Sequence, residues 1–397
     1  MRILYHHRVA SRDGQAVHIE ELVAALRRRG HEVLVVGPAT VEAVPVGGEV
    51  AWVARLRRHL PKALWELLEP GWGLWATLRL LRAAREFRPD LIYERYALYL
   101  PAGVVAARFL GRPLLLEVNA PLAEERATHG GLLFPDTARR IERWIWRRAD
   151  RIVAVSRVLA EIVAAGGVEP GRVRVVPNAV NLEAFHGLDR QAAKRALGLD
   201  GHCVLGFLGF VRDWHGLDRA IRFLAAHPDP RLQLVVAGDG PARPGLEALA
   251  TILGIGHRVR FLGAIARDRV PQTLAAFDIA LQPAVVGYAS PLKLFEYMAA
   301  GCAILAPDTP NIREVVRDGV EALLFSRGAF DHSLLRLVHD PALRERLGAA
   351  ARARIYELDR SWDANARVVE KLARELGVLA ATSSHAARSS RQRSCQR

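Results

Sequence analysis

Residues 288–301 read YASPLKLFEYMAAG. Ser290 has the type of a helix N-cap, Pro291 suits the first helical position, and Gly301 suits a C-terminal stop. A helix starting here presents unpaired N–H donors and a partial positive charge, which suit a phosphate. Lys293 and Glu296 stand three residues apart and so share one helix face. The lysine could hold a phosphate while the carboxylate accepts hydrogen bonds from a sugar hydroxyl. The same spacing also fits a capped core helix carrying a surface ion pair. The lysine stands out because the 56 basic residues include only four lysines: Lys62, Lys194, Lys293 and Lys371.

Other residues with chemistry to offer follow strand-like runs. In Gly209–Gly216, Arg212 could clamp a diphosphate and His215 could assist or pack. Gly238-Asp239-Gly240-Pro241 has the composition of a tight turn before a helix. Asp308-Thr309-Pro310-Asn311 leads toward Arg313 and Glu314. In the first half, Gly14 could bring backbone close to a ligand or simply make its turn. Glu94 and Arg95, in YERY, end a strand and could touch substrate or form a structural pair. No Asp-x-Asp pair offers a seat for Mg²⁺, and no paired carboxylates suit glycoside hydrolysis. Cys203, Cys302 and Cys395 show neither metal spacing nor a disulfide framework, which fits a reducing cytoplasm.

The elements that position these residues alternate strand and helix. Ile3-Leu4-Tyr5, a helical pattern ending near Gly30, and Val33–Val36 open the chain as a βαβ unit. The first loop lacks a G-x-G-x-x-G fingerprint. Further strands are expected at 91–93, 114–118, 151–156 and 173–178. The rhythm restarts at 204–210, 232–237, 259–262, 279–282 and 303–306. The restart implies an α/β protein of two Rossmann-like, doubly wound domains facing a cleft, where ligands commonly bind. The expected domains are residues 1–185 and 186–356, with a C-terminal helix at about 357–378 packing back on the first. Residues 382–397 read as a disordered basic tail.

The net charge of +14 favours an anionic partner. The basic residues are scattered and no nucleic-acid-binding signature accompanies them, so no nucleic-acid partner is expected. Between residues 52 and 85, Trp52, Trp65, Trp72 and Trp75 interleave with Arg55, Arg57, Arg58, Lys62, Arg79, Arg82 and Arg85. That mixture suits either an anionic membrane surface or ordinary packing with a basic outer face. Pro61 and Pro70-Gly71 are expected to break the segment into shorter pieces. No apolar run approaches the roughly 18 residues of a membrane span.

Several segments together resemble a known family: HIEELVAALRRRGHEV, VRVVPNAVNLEAF, GFLGFVRDWHGLDRAI, VVAGDGP, RVRFLGAI, DIALQP and SPLKLFEYMAAGCAILAPDTPNIREVVRDGVEALLF. The chain resembles retaining glycosyltransferases of the GT-B fold, glycosyltransferase family 4, over about residues 1–370. The resemblance implies that Glu296 bonds the ribose hydroxyls of a nucleotide sugar. It assigns Ser290, Pro291, Leu292, Lys293 and Leu294 to the segment that meets the diphosphate, and Gly238 and Asp239 to the turn near the nucleotide. Gly14 matches a glycine loop that approaches the donor phosphates from the other domain. A first-domain histidine of the family appears here as Asn119. The first of two family glutamates falls at Tyr288. The family's phosphate-binding arginine and lysine fall at Phe210 and His215, so Arg212 and Lys293 would supply those cations. The implied activity is metal-independent, retaining transfer, with no cofactor beyond the donor. The acceptor expected is lipid-linked or a polysaccharide, and the setting is cytoplasmic with docking at the inner membrane face. A sugar-nucleotide epimerase or phosphorylase on the same fold, or a catalytically silent partner protein, are the alternatives.

Overall fold

Short runs of Val, Leu and Ile, buried on both faces, become parallel strands because helices cover each side. The computed structural model describes residues 1–10, 14–38, 62–128 and 131–378. Trp52, Arg55, Arg57, Arg58, Pro61 and the 382–397 tail lie outside the described residues, as do the side chains of Lys62 and Trp65. The first lobe begins with β1 (Arg2–His6), α1 (Gly14–Arg28), β2 (Glu32–Val36), α2 (Lys62–Phe87) and β3 (Leu91–Arg95). It continues through α3 (Ala102–Leu110), β4 (Leu114–Val118), α4 (Leu122–Thr128), α5 (Pro135–Arg148), β5 (Arg151–Ala154), α6 (Arg157–Ala165) and β6 (Val173–Val175).

The second lobe runs α7 (Arg190–Ala196), β7 (Cys203–Leu208), α8 (Asp218–Ala226), β8 (Leu232–Ala237), α9 (Arg243–Ile252) and β9 (Val259–Gly263). Then come α10 (Val270–Ala275), β10 (Ile279–Leu281), α11 (Leu292–Ala300), β11 (Ala303–Pro307), α12 (Pro310–Arg313) and β12 (Leu323–Phe325). The chain closes with α13 (Phe330–His339), α14 (Pro341–Glu357) and α15 (Trp362–Glu375). Strand β12 has only three residues, too short for its apolar run to be told from a helix segment by pattern.

Both sheets have six strands, in the orders β2-β1-β3-β4-β5-β6 and β12-β11-β10-β7-β8-β9. All named pairings are parallel. This is the two-lobed α/β architecture expected of the GT-B fold. In the second sheet the strand order reverses between β7 and β10, so their carboxyl ends open a crevice suited to a ligand. Each sheet is sandwiched between apolar clusters, Phe207, Leu234 and Leu305 on one side of the second and Phe277, Phe295 and Ile304 on the other.

Helix α15 returns to the first lobe and packs on α1. Trp362 and Val369 are buried there, and Arg29 grips Glu370 through two bonds of 2.8 Å while His31 adds a third at 2.8 Å. These partners, Arg29 foremost, hold the Glu370 carboxyl down at about 2. A depressed carboxyl stabilises the fold above its unfolded value and loses that contribution as pH falls through the folded one. Glu370→Gln is therefore expected to cost on the order of 2–3 kcal/mol at pH 7. The gap from wild type should close between pH 4.5 and 2, read by urea unfolding at each pH.

Helix α2 runs unbroken through Pro70-Gly71, contrary to the expectation of a break. An internal proline costs about 3 kcal/mol. Contacts on both sides of the proline offset it. Glu66 is buried and accepts from Leu133 N at 2.6 Å and Tyr99 OH at 2.8 Å, and Glu69 pairs with Arg126 at 2.8 Å. Beyond the proline, α2 packs along α3, burying Leu80 and Ala84. The opposite face leaves Leu74, Trp75 and Leu78 more than half exposed. No described helix is long and apolar enough to cross a membrane.

Candidate functional site

The crevice between β7 and β10 is floored by two glycine turns. Gly209 (φ 130°) and Gly238 (φ 141°) adopt backbone that side chains rarely tolerate. A Cβ on Gly238 would lie 2.0 Å from the Gly209 carbonyl oxygen. Val211 N donates to Asp239 O at 2.9 Å, fastening the two turns together. The Asp239 carboxylate is held locally, by Gly240 N at 2.8 Å and Arg243 at 3.2 Å.

Helix α11 enters this crevice with its amino end. The expected cap is not what the structure shows: Pro291 occupies the N-cap position and the helix begins at Leu292, with no side-chain cap. The Ser290 hydroxyl is spent elsewhere, accepting from Asn178 N of the first lobe at 3.1 Å. A tertiary partner thus replaced the local hydrogen bond that the Ser-Pro pair suggests. Leu294 is fully buried and anchors the helix in the core.

Lys293 does not form the surface ion pair that its spacing also allowed. Its Nζ is buried with no hydrogen-bond partner among the described residues, 3.7 Å from the Phe207 ring centroid and close against Gly209. Burial pulls the ammonium down to about 7, only partly opposed by Glu296. His215 is wedged beside Phe207 and Trp214, with ring centroids at 5.2 and 4.0 Å. Its Nδ1 accepts from Arg212 N at 3.2 Å, which leaves the proton on Nε2. Burial first, then Lys293 and Arg212, hold His215 down at about 2, so it is neutral at pH 7. Arg212 is exposed, its guanidinium 5.0 Å from the Phe210 ring. Two cations therefore act on one loop at a helix start, a combination suited to an anion.

Glu296 is buried and pairs with Arg267. Burial raises its pKa despite Arg267 and Lys293, and Glu21 on α1 raises it further. Oε1 takes the Arg267 bond; Oε2 receives none from the described residues.

The first lobe meets this site closely. A Cβ on Gly14 would lie 3.2 Å from Leu292 Cδ1, so the amino end of α1 faces that of α11. Glu94 and Arg95 are both buried in pairs: Glu94 with His6 Nδ1 and Gly103 N, Arg95 with Glu117. Asn119 Nδ2 donates to Glu117 Oε1 at 2.6 Å. The structure thus brings Gly14, Leu292, Lys293, Arg212 and His215 to one crevice. Glu94, Arg95 and Asn119 lie at the carboxyl edge of the first sheet, tied into its own network.

Sequence patterns did not reveal what joins the lobes. Tyr288 O accepts from Ser156 Oγ at 2.6 Å, and Tyr288 OH donates to Glu125 at 2.8 Å. Glu314 accepts from Arg157 N at 2.7 Å and Val158 N at 3.2 Å, capping α6 from the opposite lobe. Asn178 contacts both Ser290 and His18. The one available signal was polar: His18 lies among apolar positions of α1, and Asn178 ends a strand abruptly. Among the described residues no group of three or more His, Cys, Asp or Glu side chains is placed to hold a metal.

Known proteins share this construction. Residues 12–184 match the family described as Glycosyltransferase Family 4, and residues 189–354 match Glycosyl transferases group 1. D-inositol 3-phosphate glycosyltransferase of Streptomyces scabiei is 30% identical over 379 residues, covering 89% of this chain and 84% of that one. GDP-mannose-dependent alpha-mannosyltransferase of Mycobacterium tuberculosis is 28% identical over 367 residues, covering 88% and 89%. HepE of Anabaena in complex with UDP superposes with a TM-score of 0.74 at 21% identity, over 94% of this chain and 99% of that one. With both halves matched in order, and a relative at 30% identity along most of its length, this chain belongs to glycosyltransferase family 4, as a GT-B enzyme that transfers sugar from a nucleotide sugar.

Proposed function

We propose that the enzyme breaks the bond between a sugar carbon and a diphosphate oxygen and passes the sugar, with retained configuration, to a hydroxyl of a lipid-linked or polysaccharide acceptor. One observation carries this reading: the buried ammonium of Lys293, with no hydrogen-bond partner among the described residues, beside the amino end of α11. An isolated buried cation is costly, and an arriving anion relieves that cost. As the bond breaks, negative charge grows on the departing diphosphate. Lys293, Arg212 and the free N–H groups at the start of α11 stabilise it, so no metal is required. Glu296 Oε2 is available to accept from ribose hydroxyls. Gly238 and Asp239 border the nucleotide, and Gly14 closes the site from the other lobe. Asn119, Glu94 and Arg95 line the acceptor side, positioned by Glu117 and His6.

Thermal-shift screening against UDP-, GDP-, ADP- and dTDP-sugars identifies the donor, since a ligand of the folded state raises its melting temperature. Turnover of that donor should survive EDTA, and NMR of the product should show the donor's anomeric configuration. Inversion, or loss of activity restored by Mg²⁺, overturns the respective part.

The acceptor end is proposed to work at the inner face of a membrane. The supporting feature is the exposed face of α2, where Leu74, Trp75 and Leu78 adjoin basic residues and Arg79 lies 5.6 Å from the Trp75 ring centroid. Phe109 of α3 is also exposed, with Arg85 at 4.9 Å from its ring. Apolar side chains flanked by arginines suit an anionic lipid surface. Flotation with vesicles rich in phosphatidylglycerol at low salt should carry the protein upward, and Leu74→Ser with Leu78→Ser should leave it below. Absence of wild-type binding removes the membrane claim without touching the transfer reaction.

A further inference from the structure

The hydrogen bonds around His18 admit one arrangement of protons. Asn178 stands between His18 and the segment that leads into α11. Its Nδ2 donates to the Ser290 carbonyl, and a carbonyl only accepts, so the amide's orientation is fixed. Asn178 Oδ1 therefore faces His18 Nδ1 at 2.8 Å and requires a proton on that nitrogen. The other ring nitrogen, Nε2, lies 2.9 Å from Glu117 Oε2. Glu117 also accepts from Tyr93 OH and Asn119 Nδ2, each at 2.6 Å, and pairs with Arg95. Burial opposes ionisation of Glu117, but the Arg95 guanidinium at Oε1, with the Tyr93 and Asn119 donors, favours the carboxylate independently of His18. An ionised carboxylate only accepts, so Nε2 carries a proton too. Both ring nitrogens are donors, and His18 is an imidazolium.

We infer that His18 is a charged positioning residue: through Asn178 it fixes Ser290 and the amino end of α11, where the proposed diphosphate binds. The inference rests on that reading of the site. Around His18, Tyr93 and Arg95 come from β3 and Glu117 from β4, while α15 offers Trp362, edge-on at 4.9 Å, and Asn365. Next to His18, β5 and the segment after β6 contribute Val153 and Val176. From the donor lobe, Ser290 is reached through Asn178. The adjoining cavity is about 10 Å³, room for about one water at most, so solvent cannot readily replace a lost bond. A neutral imidazole has one donor and must release either Asn178 or Glu117. Release of Asn178 frees Ser290 and loosens the helix start.

The first test needs no variant. In long-range ¹⁵N–¹H spectra at pH 7, His18 should show two protonated ring nitrogens; a neutral-tautomer pattern overturns the inference. The second reads affinity for UDP, or for whichever bare nucleoside diphosphate the donor screen selects. His18→Gln should weaken binding roughly tenfold at pH 7, the scale of one charged hydrogen bond. Asn178→Asp keeps an acceptor for His18 but cannot donate to Ser290; it should weaken binding similarly while the His18 spectrum stays doubly protonated. Binding by His18→Gln within twofold of wild type overturns the positioning role. Failure of every nucleotide to bind wild type overturns the proposed donor site instead, and the ¹⁵N spectrum still decides the protonation of His18.

Discussion

Lys293→Met is expected to lower turnover of the nucleotide sugar by roughly 100- to 1000-fold, the loss of about 2.7–4 kcal/mol typical when one preorganised charge-stabilising donor is removed. The physical reason is that Lys293 Nζ has no hydrogen-bond partner among the described residues. Its ammonium is held against Phe207 and Gly209, and its hydrogen-bonding capacity is available to the anion that enters. The same substitution should stabilise the folded protein at pH 6. A lysine whose folded pKa is lowered to about 7 destabilises the fold while charged, and that cost disappears as pH rises toward its unfolded value near 10.5. Methionine removes the charge at every pH. Unfolding curves at pH 6 and pH 9 should therefore show a stabilisation of a few kcal/mol that shrinks at the higher pH. Donor binding should also draw a proton onto Lys293 above neutrality. Calorimetry in two buffers of different ionisation enthalpy measures that uptake. Undiminished turnover by Lys293→Met, or a variant less stable than wild type at pH 6, contradicts the assignment.

Glu296→Gln should separate donor affinity from stability in the same way. Amide and carboxylate have nearly one shape, so the helix is not disturbed. The loss is a charged acceptor for ribose hydroxyls at Oε2, about 1.5–3 kcal/mol, or roughly 10- to 100-fold in kcat/KM. The folded protein gains instead. Burial raises the Glu296 pKa above its unfolded value, so the ionised form is a cost that vanishes as pH falls below that value. Arg267 loses its partner but is 41% exposed and rehydrates cheaply. A melting temperature above wild type at pH 8 is expected, with the difference narrowing toward pH 4. A variant both less stable and fully active places Glu296 in a structural pair alone.

These two residues show why a catalytic pocket and a stable core compete. Each is a buried charge that an apolar core would exclude, and in the proposed site the ligand would complete its surroundings. His18 differs: its charge is satisfied within the protein, between Asn178 and Glu117, and serves to hold a neighbouring segment.

The sequence by itself determined the two α/β lobes, because strand-length apolar runs alternate with helical periods in each half. It also determined the loops at the strand ends, because glycine and proline punctuate them. Lys293 and Glu296 were legible as a pair, since a spacing of three places both on one helix face whatever surrounds it. Burial was not legible. Whether Lys293 pairs with Glu296 or stands alone depends on Phe207 and Gly209, distant in the chain. Local rules failed where a tertiary partner outbid them: Ser290 left its own helix for Asn178, and α2 held its course through Pro70 because Glu66 and Glu69 anchor one side and α3 the other. The contacts between lobes, Tyr288 with Glu125, Glu314 with α6, and Asn178 of the His18 chain with Ser290, join residues more than 110 positions apart. Such bonds leave no period in the sequence, because hydrogen-bond geometry is fixed only once the lobes face one another.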